Sequence, residues 1–161
     1  MSESRPSAPG QIFISYRRQD TAFPAGWLFE QLTDHFGPGQ VFKDIDSIRL
    51  GDDFVEVMTR AVESCDVLLA LIGKDWLTIA DAQGRRRLDD PDDSVRLEIE
   101  TALARNIRVI PVLVDGARMP RPDQLPARLV SLVRRQALEL SPARFESDTG
   151  RLLQVLRPDD H

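Results

Sequence analysis

Six apolar residues, Val67-Leu68-Leu69-Ala70-Leu71-Ile72, stand between Asp66 and Gly73 without a polar interruption. A strand with one wet face alternates apolar and polar residues, so an unbroken run marks a strand covered on both faces at the centre of a parallel sheet. Parallel neighbours cannot be joined by a tight turn and need a crossover, usually a helix.

The rest of the chain supplies both element types. Gln11 to Tyr16 reads as a first strand opening into Arg17-Arg18-Gln19-Asp20. Asp20 can cap a helix whose inner face is Phe23, Trp27, Leu28, Gln31 and Leu32, with Pro24 tolerated in the first turn. After the break at Gly37-Pro38-Gly39, Val41-Phe42 is a short second strand that empties into the long polar loop Lys43 to Gly51. Asp52 or Asp53 caps a helix with Phe54, Val57, Met58, Ala61, Val62 and Cys65 on its apolar side. Beyond the central strand, Trp76-Leu77 fall in a short helical or irregular piece, and Asp81 to Asp93 reads as a mobile charged loop. A helix through Val95, Ile99, Ala102 and Leu103, capped by Asp92 or Asp93, leads into a fourth strand, Ile107 to Val114. Pro126 opens a helix with Leu129, Val130, Leu132 and Val133; Gln136 to Leu140 is a fifth strand at an edge; a helix from Phe145 to Leu156 closes the domain. The expected fold is α/β, a five-stranded, mainly parallel sheet with helices on both faces.

A chain of 161 residues fits one domain. Residues 1–10 read as a disordered N-terminus, 11–157 as the domain and 158–161 as a tail. One cysteine, Cys65, excludes an internal disulfide, and two histidines, His35 and His161, leave no zinc-type cluster. The start lacks a signal-peptide core, and no apolar run approaches the ~20 residues that span a bilayer. The expected setting is a reducing cytoplasm, without membrane contact. A net charge of -5 argues against general nucleic-acid binding, and Arg85-Arg86-Arg87 reads as solvated loop charge.

Open parallel sheets bind ligands at the carboxyl ends of their strands, near the point where strand order reverses. That rim receives Ser15 to Arg18, the loop Asp44 to Gly51, and the start of the helix bearing Glu98. At about 100° per residue, Glu98 falls roughly 60° from Val95, at the border of the apolar stripe, whereas Glu100 points away and should be wet. No Gly-rich phosphate loop and no nucleophile elbow is present, and His35 lies at the far end of its helix. Hydride transfer, nucleotide hydrolysis and a serine triad are therefore poor fits. A phosphorylation receiver would need acidic metal ligands where this chain has Arg17 and Arg18.

Ile12-Phe13-Ile14-Ser15-Tyr16-Arg17-Arg18, then Val41-Phe42-Lys43-Asp44, then Arg96-Leu97-Glu98-Ile99 ahead of Val109-Ile110-Pro111-Val112, together resemble a Toll/interleukin receptor (TIR) domain of the bacterial type, from about Gln11 to Leu156. The resemblance implies a flavodoxin-like three-layer fold. It also implies either cleavage of the nicotinamide–ribose bond of NAD, as substrate and without a cofactor, or a non-catalytic adaptor role through TIR–TIR contacts. It assigns the catalytic carboxylate to Glu98. It places substrate contacts at Ser15, Tyr16, Arg17, Arg18, Asp44, Ile45, Trp76 and Ser94. The loop residues Asp46, Ser47, Ile48, Arg49, Leu50 and Gly51 would meet a neighbouring copy. Many NAD-cleaving members carry Trp four residues before the glutamate; this chain has Ser94 there. Further implications are homo-oligomerisation, a fused or separate sensor domain, and a part in bacterial defence.

The implied chemistry suits one carboxylate. Nicotinamide departs neutral, so no general acid is needed, and the main task is to stabilise an oxocarbenium-like ribose. Arg17 or Arg18 could hold the pyrophosphate by forked, charge-assisted contacts.

Overall fold

The computed structural model describes residues 11–43 and 51–156. Its strands are β1 (Ile12–Ser15), β2 (Val41–Phe42), β3 (Val67–Ile72), β4 (Arg108–Val114) and β5 (Leu138–Leu140); its α-helices are α1 (Arg18–Phe36), α2 (Phe54–Glu63), α3 (Ser94–Ala104) and α4 (Phe145–Leu156). All neighbouring strands pair in parallel in the order β2-β1-β3-β4-β5. From β1 the chain first builds outward to β2 and then crosses to β3 on the other side. The rim above β1 is thus the crevice that this sheet type uses for ligands.

Alternation along β3 divides the interior. Leu69 and Leu71 face a core with Ile12, Ile14, Leu28, Leu32, Val112, Leu152 and Leu156, under α1 and α4. Leu68, Ala70 and Ile72 face the opposite core with Phe13, Met58, Val62, Ile99 and Ala102, under α2 and α3. Every residue of β3 is buried, as its unbroken apolar pattern requires.

Several local expectations give way to longer-range contacts. Asp20 does not cap α1. The helix starts at Arg18 with Arg17 in the cap position and no side-chain cap, and it kinks at Thr21 (φ -133°, ψ 34°). The Asp20 carboxylate instead accepts the backbone N–H of Gly73 at 2.9 Å and of Asp75 at 3.0 Å, holding the turn after β3. A β-carbon at position 73 would fall on that carboxylate, which accounts for the glycine. The kink turns Phe23 outward, 71% exposed, where it stacks on Phe145 with ring centroids 5.9 Å apart. Trp27 stacks on the same ring at 5.7 Å and donates its indole N–H to Thr149. Phe54 also leaves the apolar face assigned to it; only Met58 and Val62 of α2 are buried. The segment after Pro126 is a 3₁₀ helix, Ala127–Arg134, still burying Leu129 and Leu132.

The segment 81–93 is anchored rather than structureless. Asp81 accepts the N–H groups of Gln83 and Arg85, a 3₁₀ turn forms at Arg87–Asp89, and Leu88 is completely buried. Asp93 caps α3 by accepting the Arg96 N–H at 3.0 Å. Glu100 is not wet: Arg96 pairs with it at 2.6 Å, and the same guanidinium donates to the Leu88 carbonyl at 3.0 Å. The 87–89 turn therefore covers the face of α3 that the helical wheel left to solvent.

Candidate active site

A cleft of ≈ 340 Å³ opens at the rim where β1 and β2 end. Tyr16, Arg17, Arg18 and Gln19 line it from the end of β1 and the start of α1. Lys43 follows β2, and Phe54 opens α2. Arg87 comes from the 3₁₀ turn, and Ser94, Val95 and Glu98 from the first turns of α3. Of the residues singled out in the sequence, the fold thus gathers Tyr16, Arg17, Arg18, Ser94 and Glu98 around one space. Asp44, Ile45, Asp46, Ser47, Ile48, Arg49 and Leu50 lie outside the described residues; Gly51 is described, exposed, with a positive φ of 91°.

Glu98 is half-buried on α3, next to the buried Val95 and Ile99 that fix the helix against the sheet. Its position follows from Asp93. The two oxygens of that carboxylate accept from the Arg17 fork at 3.0 and 2.7 Å, and the Arg96 N–H joins them. Both partners are buried, with side-chain exposures of 2% and 6%. Arg17 thus ties the end of β1 to the start of α3, one turn before Glu98, and its fork is already occupied. Of the arginine pair, Arg18 is the exposed member and lines the cleft. Lys43 lies 5.9 Å from the centroid of the Tyr16 ring and 5.6 Å from that of Phe29, within cation–π range.

Two expected contacts sit elsewhere. Ser15 is buried at the end of β1, its Oγ without a hydrogen-bond partner among the described residues, and it is not among the residues lining the cleft. Trp76 is 1% exposed in the core with Leu88 and Ile99, so its ring offers no stacking surface. A bulky aromatic just past a central strand is drawn into the core because the 73–77 turn folds back over α3's side of the sheet.

Lys43, Phe54 and Arg87 had no role assigned from the sequence, yet each lines the cleft. A positional signal existed for all three. Each belongs to a connection leaving the carboxyl end of a strand, and parallel topology returns such connections to one rim. Among the described residues, no group of His, Cys, Asp and Glu side chains could hold a metal ion. No helix among them is long and apolar enough to cross a membrane.

Among the described residues, the charged groups lining the cleft are four cations and the carboxylate of Glu98. With Arg17 neutralised by Asp93, the described lining keeps three cations beside the carboxylate of Glu98. That arrangement can hold an anionic ligand while presenting a carboxylate to a developing cation.

Comparison with known proteins agrees with this architecture. The chain is similar to the TIR domains in the structure of the activated Roq1 resistosome directly recognizing the pathogen effector XopQ. The TM-score is 0.65 at 14% identity, covering 91% of this chain and 98% of that one. No curated protein matches. A family model described as TIR domain matches residues 12–153. The chain belongs to the TIR domain family.

Proposed function

We propose that this TIR domain cleaves the nicotinamide–ribose bond of NAD, with Glu98 as the catalytic carboxylate. One observation carries the reading. Glu98 stands in a rim cleft whose other charged lining residues among those described, Arg17, Arg18, Lys43 and Arg87, are all cationic. When the glycosidic bond breaks, its electron pair neutralises the pyridinium nitrogen and nicotinamide leaves uncharged. The ribose C1′ becomes electron-poor, and Glu98 stabilises it while accepting hydrogen bonds from ribose hydroxyls. Water then adds to C1′ and loses a proton; in a cyclising enzyme an adenine nitrogen takes its place. Ser94 supplies no ring at the position where many relatives carry Trp, but Tyr16 and Phe54 line the same cleft and offer aromatic surface for a base.

Self-association through the loop Asp44 to Gly51, a partner sensor domain and a cytoplasmic role in bacterial defence complete the proposal. The likeness to TIR domains within an assembled resistosome supports the association. The absence of Trp at position 94 favours the other reading, a non-catalytic TIR–TIR adaptor. Concentrated protein incubated with NAD decides between them. Glu98→Gln should lower nicotinamide release at least ~100-fold, the scale of losing one transition-state contact. Release that is absent from the wild type, or equal in both proteins even under crowding, refutes the enzyme reading.

A further inference from the structure

The triplet Arg85-Arg86-Arg87 reads in sequence as loop charge, but the fold separates its members. Arg85 pairs with Asp81 at 3.4 Å and Arg86 with Asp89 at 2.8 Å. Arg87 faces the cleft, and its Nε is buried with no acceptor among the described residues. The Nε of Arg17 is buried in the same way although its fork is paired, so it is the fork of Arg87, on the cleft side, that is placed to meet a ligand.

The backbone carrying it is firmly held. The Arg87 N–H donates to the Ile79 carbonyl at 2.8 Å. The next residue, Leu88, is wholly buried, and its carbonyl receives Arg96 at 3.0 Å. Arg87 is therefore presented from a rigid turn, so little ordering cost attaches to a ligand that uses it. Arg17, on the cleft wall, is committed to Asp93, and Arg96, outside the cleft lining, to Glu100. Arg18 and Lys43 add positive charge to the same space.

We infer that Arg87 is a phosphate-binding residue of the cleft, taking a pyrophosphate oxygen of a dinucleotide through the terminal fork of its guanidinium. The identity of the ligand rests on the NAD reading above; the anion contact does not. Arginine suits the task because its planar donors match two oxygens of one phosphate. The contact selects ligands that carry phosphate over the corresponding nucleosides.

The test is calorimetric titration of the wild-type chain and of Arg87→Gln and Arg87→Lys with ADP-ribose, inorganic pyrophosphate and adenosine. Arg87→Gln should weaken ADP-ribose and pyrophosphate at least about tenfold, the loss expected for a charge-assisted hydrogen bond, and leave adenosine unchanged. Arg87→Lys, keeping charge but not the fork, should fall between. The salt dependence of ADP-ribose affinity should flatten in Arg87→Gln. Thermal melting of each variant separates lost binding from lost folding. Equal affinities in wild type and a folded Arg87→Gln overturn the inference, as does a wild type that binds neither phosphate probe. A chain that binds ADP-ribose through Arg87 yet releases no nicotinamide from NAD upholds it while refuting the hydrolase reading.

Discussion

Replacing Arg17 with Met removes one half of the Arg17–Asp93 pair and leaves the other in place. The two contacts, 3.0 and 2.7 Å, are made by side chains only 2% and 6% exposed, so neither charge can turn to water without opening the rim. Stranding one charge of a buried pair costs about 3–5 kcal/mol. Against a total stability of about 5–15 kcal/mol for a domain, that is about a fifth or more of the whole. At about 2–4 °C per kcal/mol for a chain of this length, it lowers Tm by roughly 6–20 °C. Asp93→Asn should cost about as much by stranding Arg17, although asparagine caps a helix nearly as well as aspartate and keeps an acceptor for Arg96. In the double variant Arg17→Met/Asp93→Asn both charges are gone and the cap remains, so the loss shrinks to about 2 kcal/mol or less. Urea denaturation of the four proteins closes the cycle. If each single variant costs under about 1 kcal/mol, or if the two add in the double, the pair is not the buried coupled clamp described.

Burial, with the Asp66 charge beside it, pushes the Cys65 thiol up to about 11. The folded protein should therefore resist iodoacetamide at pH 8 and take up one label per chain in urea; rapid native labelling would contradict its burial. Burial also raises the Asp20 carboxyl above its ordinary 3.8, with the N–H groups of Asp75 and Gly73 pulling the other way. The folded chain then holds this proton to higher pH than the unfolded chain. The resulting stabilisation is fully present below 3.8 and is lost as pH rises through the folded value. Urea denaturation should show the advantage of wild type over Asp20→Asn narrowing as pH climbs from 3.8, and a widening advantage would reverse the assignment.

The sheet was legible because its signals are local. An unbroken apolar run between Asp66 and Gly73 fits a doubly covered strand, and Asp92 or Asp93 ahead of Val95, Ile99 and Ala102 fits the start of a helix that packs on it. The same periodicity puts Glu98 at the border of that apolar stripe, and the TIR resemblance singles it out as the site carboxylate. What stayed hidden depends on partners far along the chain. Asp20 looks like a helix cap until Gly73 and Asp75, more than fifty residues later, claim both of its oxygens. Glu100 looks solvated until the 87–89 turn folds over Arg96. Trp76 and Phe54 exchange expected places, the first drawn into the core and the second turned to the cleft, because each sits in a connection whose path the pattern does not specify.

The four residues Arg17-Arg18-Gln19-Asp20 show why the pattern could not divide labour within the rim. The first and last reach away from one another, Arg17 to the cap of α3 and Asp20 to the turn after β3. Together they fasten the segment after β1 to the turn after β3 and to the start of α3. The two residues between them are exposed and line the cleft. Two adjacent arginines of equal chemistry therefore do different work, and only burial tells them apart. On the proposed reading, the anion is met by Arg18 and Arg87, which line the cleft from the start of α1 and from the 87–89 turn, while Arg17 holds the wall on which Glu98 stands. Loss of Arg17 then lowers activity by loosening the fold, whereas loss of Arg18 or Arg87 raises KM in a protein that melts normally.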